Sequence, residues 1–182
     1  MNNRYKGDEG NDCLLSVDGT DCRFPKNGKK WSSHKFKGKG GVRYEVGLGI
    51  KSGDICWING PYPCGAYPDI NIFRMGLKHY LEEDERVEAD LGYIGENPQT
   101  CKTPGALYSH DKVYVQMKKM VASRHETVNC RLKHFKCLAG VFRQSFDKHG
   151  ACFRAIAVIT QLAIENGEPL FDVHYSDVRQ VY

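Results

Sequence analysis

No stretch of this 182-residue chain stays apolar for the roughly 20 residues that a helical membrane crossing requires. The opening stretch, MNNRYKGDEGND, is polar and lacks the apolar core of a secretory leader, so the expectation is a soluble intracellular protein. None of the eight cysteines stands in a CxxC or in a paired Cys–His spacing, which argues against a structural zinc site of the finger type. Without an export signal disulfides are not expected either, and the cysteines read as reduced, mostly buried thiols. His110, His134, His149 and His174 fall too far apart in pattern to suggest a metal cluster. Internal repeats and low-complexity segments are absent.

Acidic residues are missing where basic ones crowd. Between Arg23 and Arg43 there are eight Lys or Arg and no Asp or Glu; between Lys112 and Arg154 ten basic residues face only Glu126 and Asp147. The Glu82-Glu83-Asp84-Glu85 knot carries the opposite sign. The net charge of +4 is therefore modest but segregated, and points to a polyanionic partner, with a solvated surface as the competing account. Hydrophobic content of 41% and charged content of 26% are ordinary for one globular domain with a real core.

A polar lead over residues 1–10 reads as disordered, and a single domain over 11–182. Strands are expected over Cys13–Val17, ending at Asp18-Gly19, over Arg43–Ile50, whose Tyr44, Val46, Leu48 and Ile50 share one face, over Asp54–Asn59, and over Arg86–Asp90. Pro61, Pro63, Gly65 and Pro68 break the chain before a helix carrying Ile72, Phe73, Leu77, Tyr80 and Leu81, with Asp69 read as its cap ahead of a metal ligand. Residues 91–107 read as a loop without a clear fifth strand. A long helix is expected from near Asp111 towards Val141, a last one over Ala151–Glu165, and a short strand over Phe171–Tyr175. Three strands, a helix, a strand and then helices give an α/β fold. Its mixed sheet is an antiparallel three-strand meander plus a parallel strand flanked by helices, the RNase H-like arrangement.

Three acids stand out in that frame. Asp18 and Asp90 follow apolar strand-like runs, and Glu126 sits in the helical stripe of Val121, Val128, Leu132 and Phe135, with Asn129 and Lys133 on the same edge. Two short carboxylates at strand ends and a longer one reaching in from a helix form a cage for two hard cations. Phosphodiester cleavage by in-line attack requires such a cage. The competing reading is three ordinary surface carboxylates. Asp21 is a turn cap or a support for Asp18; His125 contacts DNA, steadies a ligand or is an ordinary helix residue. Arg124, Lys133 and Lys136 suit phosphate contacts, and Trp31 amid Lys29, Lys30, Lys35 and Lys37 suits stacking on a base. Trp57 reads as core.

The blocks VDGTDCRF, WINGPYPCGAYPDINIFR, EADLGYIGE and ASRHETVNCRLKHFKCL, in that order across residues 12–165, resemble DDE-superfamily transposase endonucleases of the PIF/Harbinger-like branch. The resemblance implies that Asp18, Asp90 and Glu126 are both catalytic and metal-binding, with Mg²⁺ or Mn²⁺ as cofactor. It also implies an RNase H-like fold, DNA as substrate and a nuclear location. The family's upstream helical DNA-binding region has no counterpart before the first block, so a separate DNA-binding partner protein is expected, with an oligomer as a further possibility. The resulting expectation is a metal-dependent nuclease that cleaves, and on strand transfer joins, DNA. The alternative is a decayed or host-adopted remnant that binds DNA or protein without catalysis.

Overall fold

The computed structural model describes residues 13–83, 85–104 and 112–173. The expected disordered lead over 1–10 lies outside the described residues. Five strands form one sheet: β1 (Cys13–Arg23), β2 (Gly41–Gly49), β3 (Ile55–Pro63), β4 (Arg86–Glu88) and β5 (Cys101–Lys102), in the order β3-β2-β1-β4-β5. The β1–β2 and β2–β3 pairs are antiparallel, whereas β4 runs parallel to β1 and β5 parallel to β4. Helices α1 (Asp69–Met75), α2 (Lys112–His134), α3 (Lys136–Ala139) and α4 (Phe146–Glu165) complete the fold. The expected mixed α/β sheet flanked by helices is present.

The period-two alternation of β2 decides which layer lies on which face. Val42, Tyr44, Val46 and Leu48 join Val128 and Leu132 of α2, Leu138 of α3 and Phe153 and Ile156 of α4 in one apolar cluster. On the other face Leu15 and Val17 of β1 and Val87 of β4 meet Phe73, Leu77 and Tyr93. Helices thus cover both faces of the sheet. The tightest aromatic contact in the first cluster stacks Tyr44 on Phe153, with ring centroids 3.7 Å apart and planes within 4°.

Several boundaries differ from those expected, each for an identifiable reason. β1 does not stop at Asp18-Gly19 but continues to Arg23, because β2 pairs with it along its whole second half, from Asp18↔Val46 to Arg23↔Gly41. β4 ends at Glu88, two residues before Asp90. A fifth strand does exist, but at two residues it is too short to show alternation. The long helix ends at His134, whose basic last turn suits a helix C-terminus, and extended Phe135 separates it from α3. α4 starts at Phe146 because Ser145 caps it, its hydroxyl accepting from the Lys148 N–H at 3.3 Å. Residues 171–173 are not strand, and the rest of the strand expected there lies outside the described residues.

Phe153 is buried and stacked, so Phe153→Ala should lower unfolding free energy by about 3–5 kcal/mol. Urea denaturation should show the midpoint falling at an unchanged m-value.

Candidate active site

The β1–β4 register builds the site. Ser16 pairs with Glu88, and β4 then ends while β1 runs on. Two residues further along each chain come Asp18 and Asp90, near enough for the Asp90 charge to act on Asp18. Glu126 reaches the same place from α2. All three line one cavity of about 540 Å³, whose walls include Val17, Ala89, Val115 and Val121. The sequence thus brings the three expected acids together. Asp18, however, stands in the middle of an 11-residue strand rather than at its end.

Each acid has its own surroundings. The Asp18 carboxylate accepts from the Gly19 N–H at 2.8 Å and from Asn129 Nδ2 at 3.5 Å. Burial, with Asp90 and Asp69 adding negative charge nearby, raises its pKa to about 6 against the opposing pull of Lys35. Asp90 is exposed and caps the 3-10 turn Leu91–Glu96, its Oδ1 accepting from the Gly92 N–H at 2.8 Å. That turn is anchored by Glu96, which accepts from Arg74 Nε at 2.6 Å and Lys78 Nζ at 2.7 Å. Burial alone would raise the pKa of Glu96, but hydrogen bonds from Lys78, Arg74 and Thr100 outweigh it and hold the value at about 2. Glu126 is exposed on α2.

Asp69 is not the helix cap that the sequence suggested first. The N-cap of α1 is Pro68, and no side chain caps the helix. Asp69 turns instead towards the sheet, where Oδ2 accepts from Arg43 at 3.1 Å and Oδ1 is buried without a hydrogen-bond partner. It reaches there because residue 19 is glycine: a Cβ would stand 1.9 Å from Asp69 Oδ1. Burial and the charges of Asp21 and Asp90 raise its pKa against Arg43. The same Arg43 holds Asp21 from two nitrogens, Nε at 2.7 Å and a terminal nitrogen at 3.1 Å, while Ser33 donates to Asp21 at 2.6 Å. Burial works to raise Asp21, but Arg43 outweighs it and keeps the group below its usual value. Asp21 is thus a buried ion-pair partner rather than a turn cap.

Basic residues sort into two groups. Lys29, Lys30, Lys37 and Lys136 are exposed and Lys133 is half-buried. Lys35 differs from its neighbours, because its ammonium donates to Gly19 O at 3.1 Å and its charge reaches Asp18, Asp21 and Asp69. Arg124, expected among the phosphate contacts, is interior. Its guanidinium donates to the carbonyls of Ile50 at 2.6 Å, Gly49 at 3.3 Å and Phe171, so its charge clamps α2 to the end of β2. Trp31 is half-buried, stacked on Phe24 at 5.5 Å and edge-on to Phe146 at 5.7 Å. Trp57 is only partly buried, its Nε1 donating to Glu45 at 2.9 Å. Burial, with Asp69 nearby, raises the Glu45 pKa to about 8 against that hydrogen bond.

The remaining contacts position α2. His125 is buried, with Nε2 2.8 Å from Ser16 Oγ, and burial lowers its pKa to about 4, which makes it a neutral support and not a cationic DNA contact. Lys118 pairs with Glu88 and donates to the carbonyls of Ala89 at 3.2 Å and Lys102. Glu88, Lys118 and Lys119 also line the cavity, and sequence patterning gave no signal for any of them.

The donor set around Asp18, all carboxylate oxygen, suits a hard divalent cation, and a desolvated acid among negative neighbours is what such a cation would relieve. The spacing does not close around one: among the described residues no group of three or more His, Cys, Asp or Glu side chains is arranged to hold a metal ion. Also among the described residues, no helix is long and apolar enough to cross a membrane. No family model, curated protein or solved structure matches the chain.

Because the folded chain retains a proton on Asp18 that the unfolded chain releases, stability should fall as pH rises from the ordinary Asp value of 3.8 through about 6. Asp18→Asn removes that penalty. It should be more stable than wild type by roughly 1–3 kcal/mol near about pH 8 and nearly equal near about pH 4. Urea titrations of both proteins at the two pH values measure the difference; parallel pH profiles would show that Asp18 titrates normally.

Proposed function

We propose that the chain is a metal-dependent DNA endonuclease of the DDE transposase type on an RNase H-like core, acting on nuclear DNA. The observation that carries this reading is that Asp18, Asp90 and Glu126, distant in sequence, line one cavity. The strand order, with an antiparallel meander and parallel β4 and β5, supports it.

Asp18, Asp90 and Glu126 would hold Mg²⁺ or Mn²⁺. Bound there, the ions would activate the attacking oxygen and neutralise charge on the phosphodiester. The chain's own residues do the rest. Asn129 and the Gly19 N–H orient Asp18, Lys35 tempers the negative charge around it, and apolar Val17, Val115 and Val121 limit water near the reacting group. Exposed Lys29, Lys30, Lys37 and Lys136 would contact phosphates, which positions DNA without reading its sequence. Water is the first nucleophile, and a DNA 3′-hydroxyl serves where strand transfer follows.

Two observations favour a second reading, a non-catalytic DNA- or protein-binding module: the acids are not arranged to hold an ion, and Asp90 is engaged in capping a turn. Plasmid nicking separates the two. The endonuclease reading expects nicking that depends on Mg²⁺ or Mn²⁺ and falls to the metal-free background in Asp18→Ala. Folded wild-type protein that never nicks would leave the binding module.

Metal binding has its own readout. Mg²⁺ at about a hundred times Kd should stabilise the wild type by roughly 2.7 kcal/mol, and Asp90→Asn should show a clearly smaller shift by thermal unfolding. Equal shifts would place the ion elsewhere.

DNA binding should be weak, sequence-independent and salt-sensitive. Replacing Lys29, Lys30 and Lys37 with Ala should flatten the slope of log K against log salt by about 0.9 for each phosphate that the variant no longer neutralises, equally on unrelated duplexes. Lys35→Ala should instead raise the pKa of Asp18 further, because its charge acts on that acid. Titrations on two unrelated duplexes at several salt concentrations check the first outcome, and NMR of the Asp18 carboxyl checks the second.

A further inference from the structure

Two thiols outside the acidic site meet across elements. Cys152 Sγ, in the second turn of α4, lies 3.6 Å from Cys137 Sγ on α3. Cys137 is exposed and Cys152 half-buried, whereas Cys13, Cys22, Cys64 and Cys101 are buried. Neighbouring Leu138 is buried in the core formed with β2, α2 and α4, so α3 holds Cys137 in a fixed place. The pair lies beyond the α2 terminus, on the helical layer and not in the cavity.

We propose that Cys137 and Cys152 are a redox-responsive dithiol that closes to a disulfide, stapling α3 to α4, when the protein meets a peroxide. Bonded sulfurs sit about 2.05 Å apart, so closure needs an approach that rotation of the exposed Cys137 side chain supplies. Exposed Cys137 meets the oxidant first. Its thiolate attacks one peroxide oxygen, the O–O bond breaks, and Cys137 becomes a sulfenic acid as one water leaves. Cys152 then attacks the Cys137 sulfur; the S–S bond forms, the S–OH bond breaks, and the hydroxide departs with the Cys152 proton as a second water. Two thiols lose two electrons and two protons, and one hydrogen peroxide becomes two waters. Burial and the adjacent Cys137 raise the Cys152 pKa to about 11, which makes Cys152 a poor nucleophile towards free peroxide and leaves it the second step, where the Cys137 sulfur stands beside it. The proposal is independent of the nuclease reading, since it uses none of the acidic residues.

The test treats the purified full chain with a small excess of hydrogen peroxide and follows free thiols, intact mass and a non-reducing peptide map. Expected are the loss of two thiols and two hydrogen masses, a peptide joining Cys137 to Cys152, and full reversal by dithiothreitol. The cross-linked form should melt higher by on the order of 5–10 °C, because the disulfide restricts the unfolded chain. Cys137→Ser should abolish the two-thiol loss. Cys152→Ser should trap a sulfenic acid at Cys137 that a dione reagent labels, and Cys130→Ser should behave as wild type. Cross-linking of Cys137 to another cysteine, its over-oxidation without a cross-link, disulfide-linked dimers, or an unchanged melting temperature in the cross-linked form would each overturn the proposal.

Discussion

The parallel pairing of β1 with β4 is the constraint on which the site depends. It lasts only from Cys13↔Arg86 to Ser16↔Glu88, after which β1 keeps β2 as a partner and loses β4. A parallel register advances both chains in the same direction, so the residues that follow Ser16 and Glu88 leave the ladder towards the same end of the sheet. Asp18 and Asp90 do so. A slip of one residue would send Asp18 to the opposite face, where Leu15 and Val17 pack on Phe73 and Tyr93. The apolar alternation of β1 therefore fixes the acid's side of the sheet as firmly as any contact the acid makes itself.

Once placed there, Asp18 is electrostatically uncomfortable, and its neighbours limit the damage without removing it. Arg43 is committed to Asp21 and Asp69, so the guanidinium nearest the cluster satisfies the two acids on the far side. Lys35 and the Gly19 N–H temper Asp18, and the pKa of Asp18 still rises to about 6. Asp69 adds a buried oxygen with no hydrogen-bond partner. A fold has no structural reason to gather unbalanced carboxylates at an open sheet edge, and such clusters are common where a site must receive positive charge. The same arrangement explains why Gly19 follows Asp18: a side chain there would drive Asp69 away from the cluster.

Local pattern in the sequence carried the sheet, the strand that holds Asp18 and the helical placement of Glu126, because periodicity of two or 3.6 survives in any short window. It failed where the deciding partner is remote. Asp18-Gly19 looks like a turn, and the antiparallel pairing with β2, from Asp18↔Val46 to Arg23↔Gly41, keeps the strand running through it. Asp69 looks like a helix cap until Arg43 is seen to hold it. Arg124 looks like a surface cation, yet the carbonyls of Gly49 and Ile50, 75 and 74 residues distant, need its donors. β5 was illegible for a different reason, since two residues contain no period at all.

The position of Glu126 follows from how α2 is seated. Apolar packing through Met117, Val121, Val128 and Leu132 attaches the helix to the sheet, but such contacts are non-directional and tolerate rotation about the axis. Direction comes from four polar links spread along its length: Lys118 to Glu88, Arg124 to the end of β2, His125 to Ser16 and Asn129 to Asp18. Each would leave a buried donor or charge unpaired if the helix turned, and that cost is larger than the gain from forming any one of them. Glu126 lies between His125 and Asn129 in sequence and is itself exposed, so its backbone is fixed by its neighbours while its side chain faces solvent. The place of its carboxylate on the wall of the cavity thus follows from how its neighbours seat the helix.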